Sequence, residues 1–162
     1  KKVLVVMGSD SDLKVMEKCV DRLKSFDIPT EVRICSAHRT PAVAEQLAEN
    51  AAAEGFGVII AAAGKAAHLG GVLAAYTTLP VIGVPMATSV MGGMDSLLSI
   101  VQMPKGIPVA TVAIDGADNA AILAAQMIAL SDDALAQKLA QFKADMAAEV
   151  TAKDEKVRAQ FA

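Results

Sequence analysis

The sequence predicts an α/β protein in which a parallel sheet lies between two layers of helices. Short apolar segments rich in β-branched residues alternate along the chain with amphipathic segments, which is typical of parallel strands joined by crossover helices. Some apolar segments are continuous, as in Val58–Ala62, and such segments indicate strands buried on both faces. We therefore expect a flavodoxin-like three-layer α/β/α sandwich whose five strands follow the order 2-1-3-4-5.

Turn-forming residues bound each predicted element. The predicted strands are Val3–Met7, Glu31–Cys35, Val58–Ala62, Val81–Val84 and Val109–Ile114. The predicted helices are Asp12–Phe26, Pro41–Glu54, Ala66–Tyr76, Asp95–Gln102 and Ala117–Leu130. For the second helix we expect Thr40 as the N-cap, Pro41 at the first helical position and Gly55 as the C-cap.

A further amphipathic helix is predicted over Asp132–Val150, capped by the preceding Ser131-Asp132-Asp133 sequence. Its apolar residues repeat at intervals of three and four: Leu135, Leu139, Phe142, Met146 and Val150. We expect a single domain, 1–162, with a sandwich core at 1–130 and a C-terminal helix at 131–162. This helix is longer than a small sandwich needs and the chain is rich in Ala, which favours contacts with another subunit. The alternative is a helix that docks only on its own domain.

Composition and charge favour a small-molecule partner. The chain has 162 residues, 54% hydrophobic and 20% charged, and a net charge of −3. No basic run is present, so we expect no nucleic-acid partner. No apolar stretch approaches the length of a membrane helix and no signal peptide opens the sequence, so we expect no membrane partner. Cys19 and Cys35 lie far apart without a metal or disulfide pattern, which favours a reducing, cytoplasmic location.

The loop after the first strand, Gly8–Asp12, is the first candidate ligand site, because open parallel sheets bind ligands beyond the carboxyl ends of their strands. The hydroxyls of Ser9 and Ser11, together with free amides at a helix N-terminus, can hold a phosphate. The Asp12 carboxylate can accept hydrogen bonds from sugar hydroxyls. Asp10 stands where the dinucleotide motif needs a second Gly, so that motif is absent. Helix capping alone is the alternative interpretation of this loop.

The loop after the second strand, Ser36–Pro41, places His38 beside Arg39. An imidazole at a strand end can carry protons near neutral pH. The guanidinium of Arg39 offers a planar set of donors for a phosphate or carboxylate. Cys35 and His38 have the spacing of a metal pair, but no second pair supplies further ligands, so we predict no metal.

The loop after the third strand, Ala63–Gly71, carries His68, the second of the two histidines in the chain. Gly64 followed by Lys65 suggests a P-loop, but the earlier Gly of that motif is absent and Ala66 stands where Ser or Thr is required. The glycines would instead let a flat ligand approach the backbone closely. We interpret Cys19, inside the first helix, as a buried structural thiol rather than a nucleophile.

These residues together resemble the PurE family of class I N5-carboxyaminoimidazole ribonucleotide (N5-CAIR) mutases. The resemblance covers nearly the whole chain and rests on Gly8–Asp12, Ser36–Pro41, Ala66–Leu69 and Gly93–Pro104. It implies a flavodoxin-like subunit of a homo-octamer, whose C-terminal helices reach neighbouring subunits. It also implies an isomerase of purine (IMP) biosynthesis that forms 4-carboxy-5-aminoimidazole ribonucleotide (CAIR), and no cofactor.

The resemblance also implies roles for individual residues. His38 would be the general acid/base, and His68 would line the imidazole and carboxylate pocket. The residues expected to bind substrate are Ser9, Ser11, Asp12, Ser36, Arg39, Gly64, Lys65, Ala66 and Leu69. The chain departs from the family pattern at Lys65, which stands where the family has Gly and adds a cation beside the pocket. It departs again at Gly70, which we expect to loosen the turn.

Two other functions stay open at this point. One is the class II activity, in which aminoimidazole ribonucleotide (AIR) is carboxylated directly by carbon dioxide. The other is a non-catalytic nucleotide-binding module on the same fold. Such a module would have no need for His38.

Overall fold

The computed structural model describes residues 1–162 and contains one five-stranded parallel sheet in the order β2-β1-β3-β4-β5. The strands are β1 (Lys2–Met7), β2 (Thr30–Ile34), β3 (Phe56–Ala63), β4 (Val81–Pro85) and β5 (Ala110–Thr111). The predicted fold class and strand order are therefore confirmed. The register pairs Met7 of β1 with Ile34 of β2 and with Ala62 of β3, so the carboxyl ends of these three strands lie level.

Six α-helices connect and follow the strands. They are α1 (Leu13–Ser25), α2 (Pro41–Ala51), α3 (Leu69–Ala75), α4 (Met94–Val101), α5 (Ala117–Ala129) and α6 (Asp133–Gln160). A short 3-10 helix, Asp10–Asp12, precedes α1. No helix combines the length and apolar character that crossing a membrane requires.

The two faces of the sheet are covered by two separate hydrophobic clusters. Along β1, Val3 and Val5 face the cluster formed with α1 and α5, whereas Leu4 and Val6 face the cluster formed with α2 and α3. Because successive side chains of a strand point to opposite faces, both sets are apolar only when both faces are covered. This is the physical basis of the continuous apolar segments in the sequence.

Alanine accounts for the close packing of α5 on the sheet. The fully buried positions of this helix are Ala117, Ala120, Ala121, Ala124 and Ala125. A methyl side chain lets the helix backbone lie near β3, β4 and α1 without a gap. Part of the high alanine content is thus explained by packing within the subunit and not by contacts with another subunit.

The helix α6 is docked on its own subunit only along its first turns. Its N-cap Asp132 accepts a hydrogen bond from the backbone N–H of Leu135 at 3.0 Å, and Leu135 is buried. Phe142 packs edge-on against Phe26, with 5.6 Å between ring centroids, and the Arg22 guanidinium lies 4.6 Å from the Phe142 centroid. Beyond this contact the helix runs on past the predicted end at Val150, and its apolar side chains there are exposed.

The fifth strand and the third helix are shorter than the sequence predicts. The fifth strand is predicted over Val109–Ile114, but only Ala110 and Thr111 pair with β4. The chain then turns at Asp115, whose N–H donates to the carbonyl of Pro85 at 2.8 Å. The helix predicted over Ala66–Tyr76 begins at Leu69, because the loop before it makes a left-handed turn.

One of the caps expected around α2 is also different. Thr40 lies at the N-cap position, but its side chain caps no helix N–H. The helix ends at Ala51 rather than Glu54, and Gly55 adopts a φ of 89° beyond a further turn. The predicted positions of Thr40 as N-cap and Pro41 as first helical residue are therefore confirmed, whereas the expected C-cap Gly55 is wrong, because the C-cap is Ala52.

Candidate active site

A cleft of about 700 Å³ lies at the carboxyl ends of β1 to β4. Loops from four strand ends supply its 18 lining residues. These include every candidate site residue named from the sequence: Ser9, Ser11, Asp12, Ser36, His38, Arg39, Gly64, Lys65, Ala66, His68 and Leu69. The fold thus brings residues from three separate loops to one side of the sheet.

The loop after β1 presents two serine hydroxyls at the rim of the cleft. Ser9 has extended backbone, and its Oγ accepts hydrogen bonds from the N–H of Ser11 at 3.3 Å and from the Ser11 hydroxyl at 3.0 Å. The side chain of Ser9 therefore holds the short 3-10 turn together. Both hydroxyls are exposed and can exchange these weak mutual bonds for bonds to an anion.

Asp12 is a carboxyl group whose surroundings favour the protonated form. Burial raises the pKa of Asp12, and the neighbouring carboxylates of Asp115 and Asp10 raise it further. Hydrogen bonds from the Ser11 side chain and the Ser9 backbone oppose this rise only in part. A ligand hydroxyl that donates a hydrogen bond to Asp12 would therefore stabilise its partly desolvated carboxylate.

The loop after β2 is closed by the hydroxyl of Thr40. Thr40 Oγ1 accepts from the N–H of Ser36 at 3.0 Å and donates to the carbonyl of Ser36, also at 3.0 Å. The backbone N–H of Thr40 donates to the same carbonyl at 2.8 Å. These bonds explain why Thr40 does not cap α2: its hydroxyl is committed to the loop that carries His38 and Arg39.

Arg39 is oriented across the cleft toward the loop after β1. Its backbone N–H donates to Ser36 Oγ at 3.1 Å and its Nε lies 3.4 Å from the same oxygen. Its Nη2 reaches the carbonyl of Gly8 at 3.5 Å. No carboxylate forms a salt bridge with this guanidinium. Its charge is therefore free for an anionic ligand.

The two histidines of the chain are in direct contact. His38 Nε2 and His68 Nδ1 are 2.7 Å apart, and the rings meet edge to face with 4.9 Å between centroids. One of these nitrogens must donate and the other must accept, so a single proton lies between the rings. The contact links the loop after β2 to the loop after β3 and leaves the other nitrogen of each ring for a ligand or solvent.

The loop after β3 contains both departures from the family pattern. Lys65 has a φ of 56°, in the left-handed region that favours glycine, and its side chain forms no salt bridge. Gly70 does not loosen a turn, contrary to expectation, because it lies buried in the first turn of α3. A Cβ at Gly70 would make ordinary contacts with Val109 and Ala61.

A fourth loop lines the cleft and was missed from the sequence. It follows β4 and contributes Met86, Ala87, Thr88 and Ser89. The N–H of Ala87 donates to Asp115 Oδ1 at 2.9 Å, and the Thr88 hydroxyl donates to Asp95 Oδ1 at 2.8 Å. This loop also follows the carboxyl end of a parallel strand, where such sheets bind ligands. Its position in the sequence could therefore have identified it as part of the site.

A larger cleft, about 980 Å³, lies at the opposite end of the strands, where β4 and β5 begin. It is lined mainly by residues 74–81 and 106–108, with no histidine and no basic side chain. Glu49 and Tyr76 are its only ionisable residues. The smaller cleft is therefore the one equipped for acid–base chemistry and anion binding.

The two cysteines lie outside the cleft surface. Burial raises the pKa of the Cys19 thiol to about 12, in agreement with its interpretation as a structural thiol. The Cys35 sulfur is buried against Thr40, 3.6 Å from Oγ1. No group of three or more His, Cys, Asp or Glu side chains is arranged to hold a metal ion.

Fold and site together define a doubly wound α/β protein with an enzyme-type cleft for a small polar ligand, built around a histidine pair and an unpaired arginine. The chain belongs to the AIR carboxylase family, which it matches over residues 2–149.

Relatives with similar sequences extend over nearly the whole chain. A protein of Methanocaldococcus jannaschii named N5-carboxyaminoimidazole ribonucleotide mutase is 52% identical over 159 residues, 98% of this chain and 99% of the relative. A Mycobacterium leprae protein of the same name is 54% identical over 153 residues, 94% of this chain and 90% of the relative. A Vigna aconitifolia protein named phosphoribosylaminoimidazole carboxylase, chloroplastic, is 51% identical over 140 residues, 86% of this chain but 25% of the relative.

A solved structure agrees with this assignment. The crystal structure of Treponema denticola PurE has a TM-score of 0.86 and 32% sequence identity, and the match covers 95% of this chain and 96% of that one. A crystal structure of a PurE2 variant from the same organism has a TM-score of 0.85 and 29% identity, with the same coverage. The family likeness therefore extends to the three-dimensional structure.

Proposed function

We propose that the protein is an N5-CAIR mutase, an isomerase that converts N5-CAIR to CAIR in purine (IMP) biosynthesis. The observation that carries the proposal is the His38–His68 contact at 2.7 Å in a cleft that also contains the free Arg39 guanidinium. The mutase name of relatives that are more than half identical over nearly the full chain supports it.

In this proposal the substrate phosphate lies against Ser9, Ser36 and Arg39. The two serines offer hydroxyls that line the cleft, and Arg39 extends between their loops toward the Gly8 carbonyl. A guanidinium can bind two phosphate oxygens at once. The ribose hydroxyls then donate to Asp12, whose carboxylate is partly desolvated.

The aminoimidazole and its carboxylate then lie toward the loop after β3. Gly64 and Ala66 line that side of the cleft with little side-chain bulk, Leu69 adds an apolar side chain, and Lys65 stands at its rim. A flat ring can approach the backbone there. The two imidazoles line the same cleft.

The proposed reaction moves one carboxyl group and returns one proton. The bond between N5 and the carboxylate carbon breaks, its electron pair stays on nitrogen, and nitrogen takes a proton from His38. C4 of the imidazole then forms a bond to the released carbon dioxide, and His38 takes the C4 proton. Atoms and charges balance without an oxidant, a reductant or a nucleoside triphosphate. Retention of carbon dioxide beside C4 lowers the barrier by proximity, an effect worth up to about 7–11 kcal/mol.

His68 supports this proton transfer through its contact with His38. Because the facing nitrogens share one proton, the orientation of the His38 ring and the location of its protons depend on His68. We therefore assign the proton transfer to His38 and the orientation of its ring to His68.

Direct carboxylation of AIR by carbon dioxide is the second candidate function. The observation in its favour is the carboxylase name of the plant relative. The two activities share the product and most of the cleft, and they differ in the substrate that is accepted.

The decisive experiment supplies purified protein with N5-CAIR, or with AIR and bicarbonate, and follows CAIR by its absorbance. Mutase activity predicts rapid conversion of N5-CAIR and slow use of AIR. Faster conversion of AIR with bicarbonate than of N5-CAIR would show that the protein is an AIR carboxylase and not a mutase. If a stably folded protein binds nucleotide but forms no product from either substrate, the result would indicate a non-catalytic nucleotide-binding module. The His38→Asn variant serves as the control for background decarboxylation.

We also propose that the protein is a cytoplasmic homo-octamer. The second half of α6 supports assembly, since Met146, Val150 and Val157 are exposed along it and no part of the same subunit covers them. The free thiols of Cys19 and Cys35 support a reducing compartment. Light scattering tests the assembly, and deletion of residues 131–162 should abolish it. A monomer mass for the full chain would refute the octamer, and cell fractionation tests the location.

A further inference from the structure

Ser96 is the only polar side chain among the buried residues of the chain. It lies in α4, with no exposed surface, and its Oγ accepts a hydrogen bond from the backbone N–H of Lys65 at 2.9 Å. Close to one turn later, the hydroxyl of Ser99 shares its proton between the carbonyl of Asp95, at 2.7 Å, and that of Lys65, at 3.2 Å. Two serines of one helix therefore contact both backbone polar groups of a single loop residue.

That loop residue has an unfavourable backbone conformation. Lys65 has a φ of 56°, which a residue with a side chain rarely adopts without help from its surroundings. The Lys65 side chain is exposed and forms no salt bridge, so its contacts do not explain this conformation. The hydrogen bonds from α4 do explain it.

The conformation of Lys65 determines where His68 lies. The N–H of Ala67 donates to the carbonyl of Lys65 at 2.9 Å, and the N–H of His68 donates to the carbonyl of Ala66 at 2.8 Å. This tight turn ends where α3 begins, with His68 at the N-cap and its Nδ1 at 2.7 Å from His38 Nε2. A rotation at Lys65 would therefore displace the His68 ring.

The helix α4 is itself attached to the edge of the cleft. Its Asp95 accepts a hydrogen bond from Thr88, in the loop after β4, at 2.8 Å. The serines therefore belong to a helix whose first turn is held against the same group of loops, so they can act as a fixed support for the loop after β3.

We propose that Ser96, together with Ser99, is a positioning residue for the histidine pair. The serines hold Lys65 in its left-handed conformation and thereby keep His68 in contact with His38. The catalytic consequence rests on the proposed mutase function, whereas the positioning itself does not. Neither serine needs to touch substrate for this role.

The direct test replaces Ser96 by Ala and observes the imidazoles. The chain has only two histidines, so ¹⁵N labelling of histidine gives ring signals from His38 and His68 alone. We expect Ser96→Ala to remove the signature of the hydrogen bond between the rings. We expect kcat for N5-CAIR to fall by about 10- to 100-fold, as for other misplaced catalytic groups, with a smaller change in KM. Unchanged ring signals in a folded variant would overturn the proposal.

A second background separates positioning from simple core packing. Glycine adopts a positive φ readily, so in a Lys65→Gly protein the loop depends less on α4 for its conformation. Ser96→Ala should therefore lower kcat by a smaller factor in the Lys65→Gly background than in the wild type. Equal factors in both backgrounds would mean that Ser96 only fills the core, and would overturn the proposal.

Two further variants complete the design. Ser25→Ala removes a helix serine whose hydroxyl bonds only the carbonyl of Arg22, and it should leave the ring signals and kcat unchanged. Should Ser96→Ala fail to fold, Ser99→Ala removes the other, half-buried serine that contacts Lys65, and the same ring signals are measured. If the wild type shows the ring signature but does not convert N5-CAIR, the proposed function fails while the positioning is still measured.

Discussion

The hydroxyl of Thr40 should stabilise the loop that presents His38 and Arg39, and the substitution Thr40→Val tests this. Valine keeps the shape of threonine but can neither accept from the Ser36 N–H nor donate to the Ser36 carbonyl. The carbonyl keeps its bond from the backbone N–H of Thr40, so the N–H of Ser36 is the group that loses its partner.

The size of the effect follows from the exposure of this loop. Water can reach the freed N–H of Ser36, so the variant loses a net contribution of about 0.5–1.5 kcal/mol rather than the full cost of a buried unpaired donor. This range corresponds to about a 2- to 13-fold shift of the loop toward open conformations. We expect kcat/KM for N5-CAIR to fall by a factor in this range.

The assay compares kcat/KM of Thr40→Val with that of Thr40→Ser, with circular dichroism to verify folding. Serine keeps the hydroxyl and should stay within about twofold of wild type, because both bonds to Ser36 can form. A serine variant as impaired as the valine variant would show that the methyl group, and not the hydroxyl, matters. An unimpaired valine variant would refute the reasoning outright.

Four other outcomes are expected. His38→Asn should lower kcat by about 10²–10⁴-fold, as loss of a general acid/base does, and His68→Asn should lower it less; equal losses in stopped-flow turnover would contradict the division of roles. Arg39→Lys should raise KM, because lysine lacks the planar set of N–H donors of a guanidinium. An unchanged KM would show that the phosphate does not bind at Arg39. Lys65→Gly should raise KM and flatten its dependence on ionic strength, as expected for a rim charge at a Debye length of about 8 Å, and a KM insensitive to the change would show a purely solvated lysine. Asp12→Asn should raise the thermal midpoint at neutral pH: burial raises the native pKa of Asp12, so wild-type stability is lost as pH rises from the ordinary Asp value through the raised native one. Unfolding scans should show this advantage disappear below the ordinary Asp pKa, and an advantage that persists there would refute its electrostatic origin.

The order of the strands could be predicted because it depends on patterns that survive in the sequence. Alternation of apolar and amphipathic segments requires parallel pairing, and the continuous segment around Val58–Ala62 requires helices on both faces. The ends of elements depend on local tertiary contacts instead. Regular pairing of the fifth strand stops early because, after Val112, the next backbone bond to β4 comes from Asp115, which has a φ of 56°. The residues of Val109–Ile114 do not predict that irregularity.

The candidate site was predictable at the level of loops but not of contacts. The rule of strand carboxyl ends placed Ser9, Ser36 and Gly64 in one region, and the cleft indeed contains all three. The contact between His38 and His68 could not be predicted, because it depends on how the turn at Lys65 is held from α4. Their roles toward substrate stay predictions.

The interior position of β1 in the sheet, between β2 and β3, has a consequence for the synthesis of the chain. Val3 and Val5 of β1 belong to a hydrophobic cluster that also contains the buried alanines of α5, so this cluster is complete only after residues 117–129 have left the ribosome. Until then apolar side chains of β1 are incompletely covered on the nascent chain, and exposed apolar strands are prone to aggregate. Chaperone contact during translation should therefore concentrate on the segment between β1 and α5, and it should end when α5 emerges.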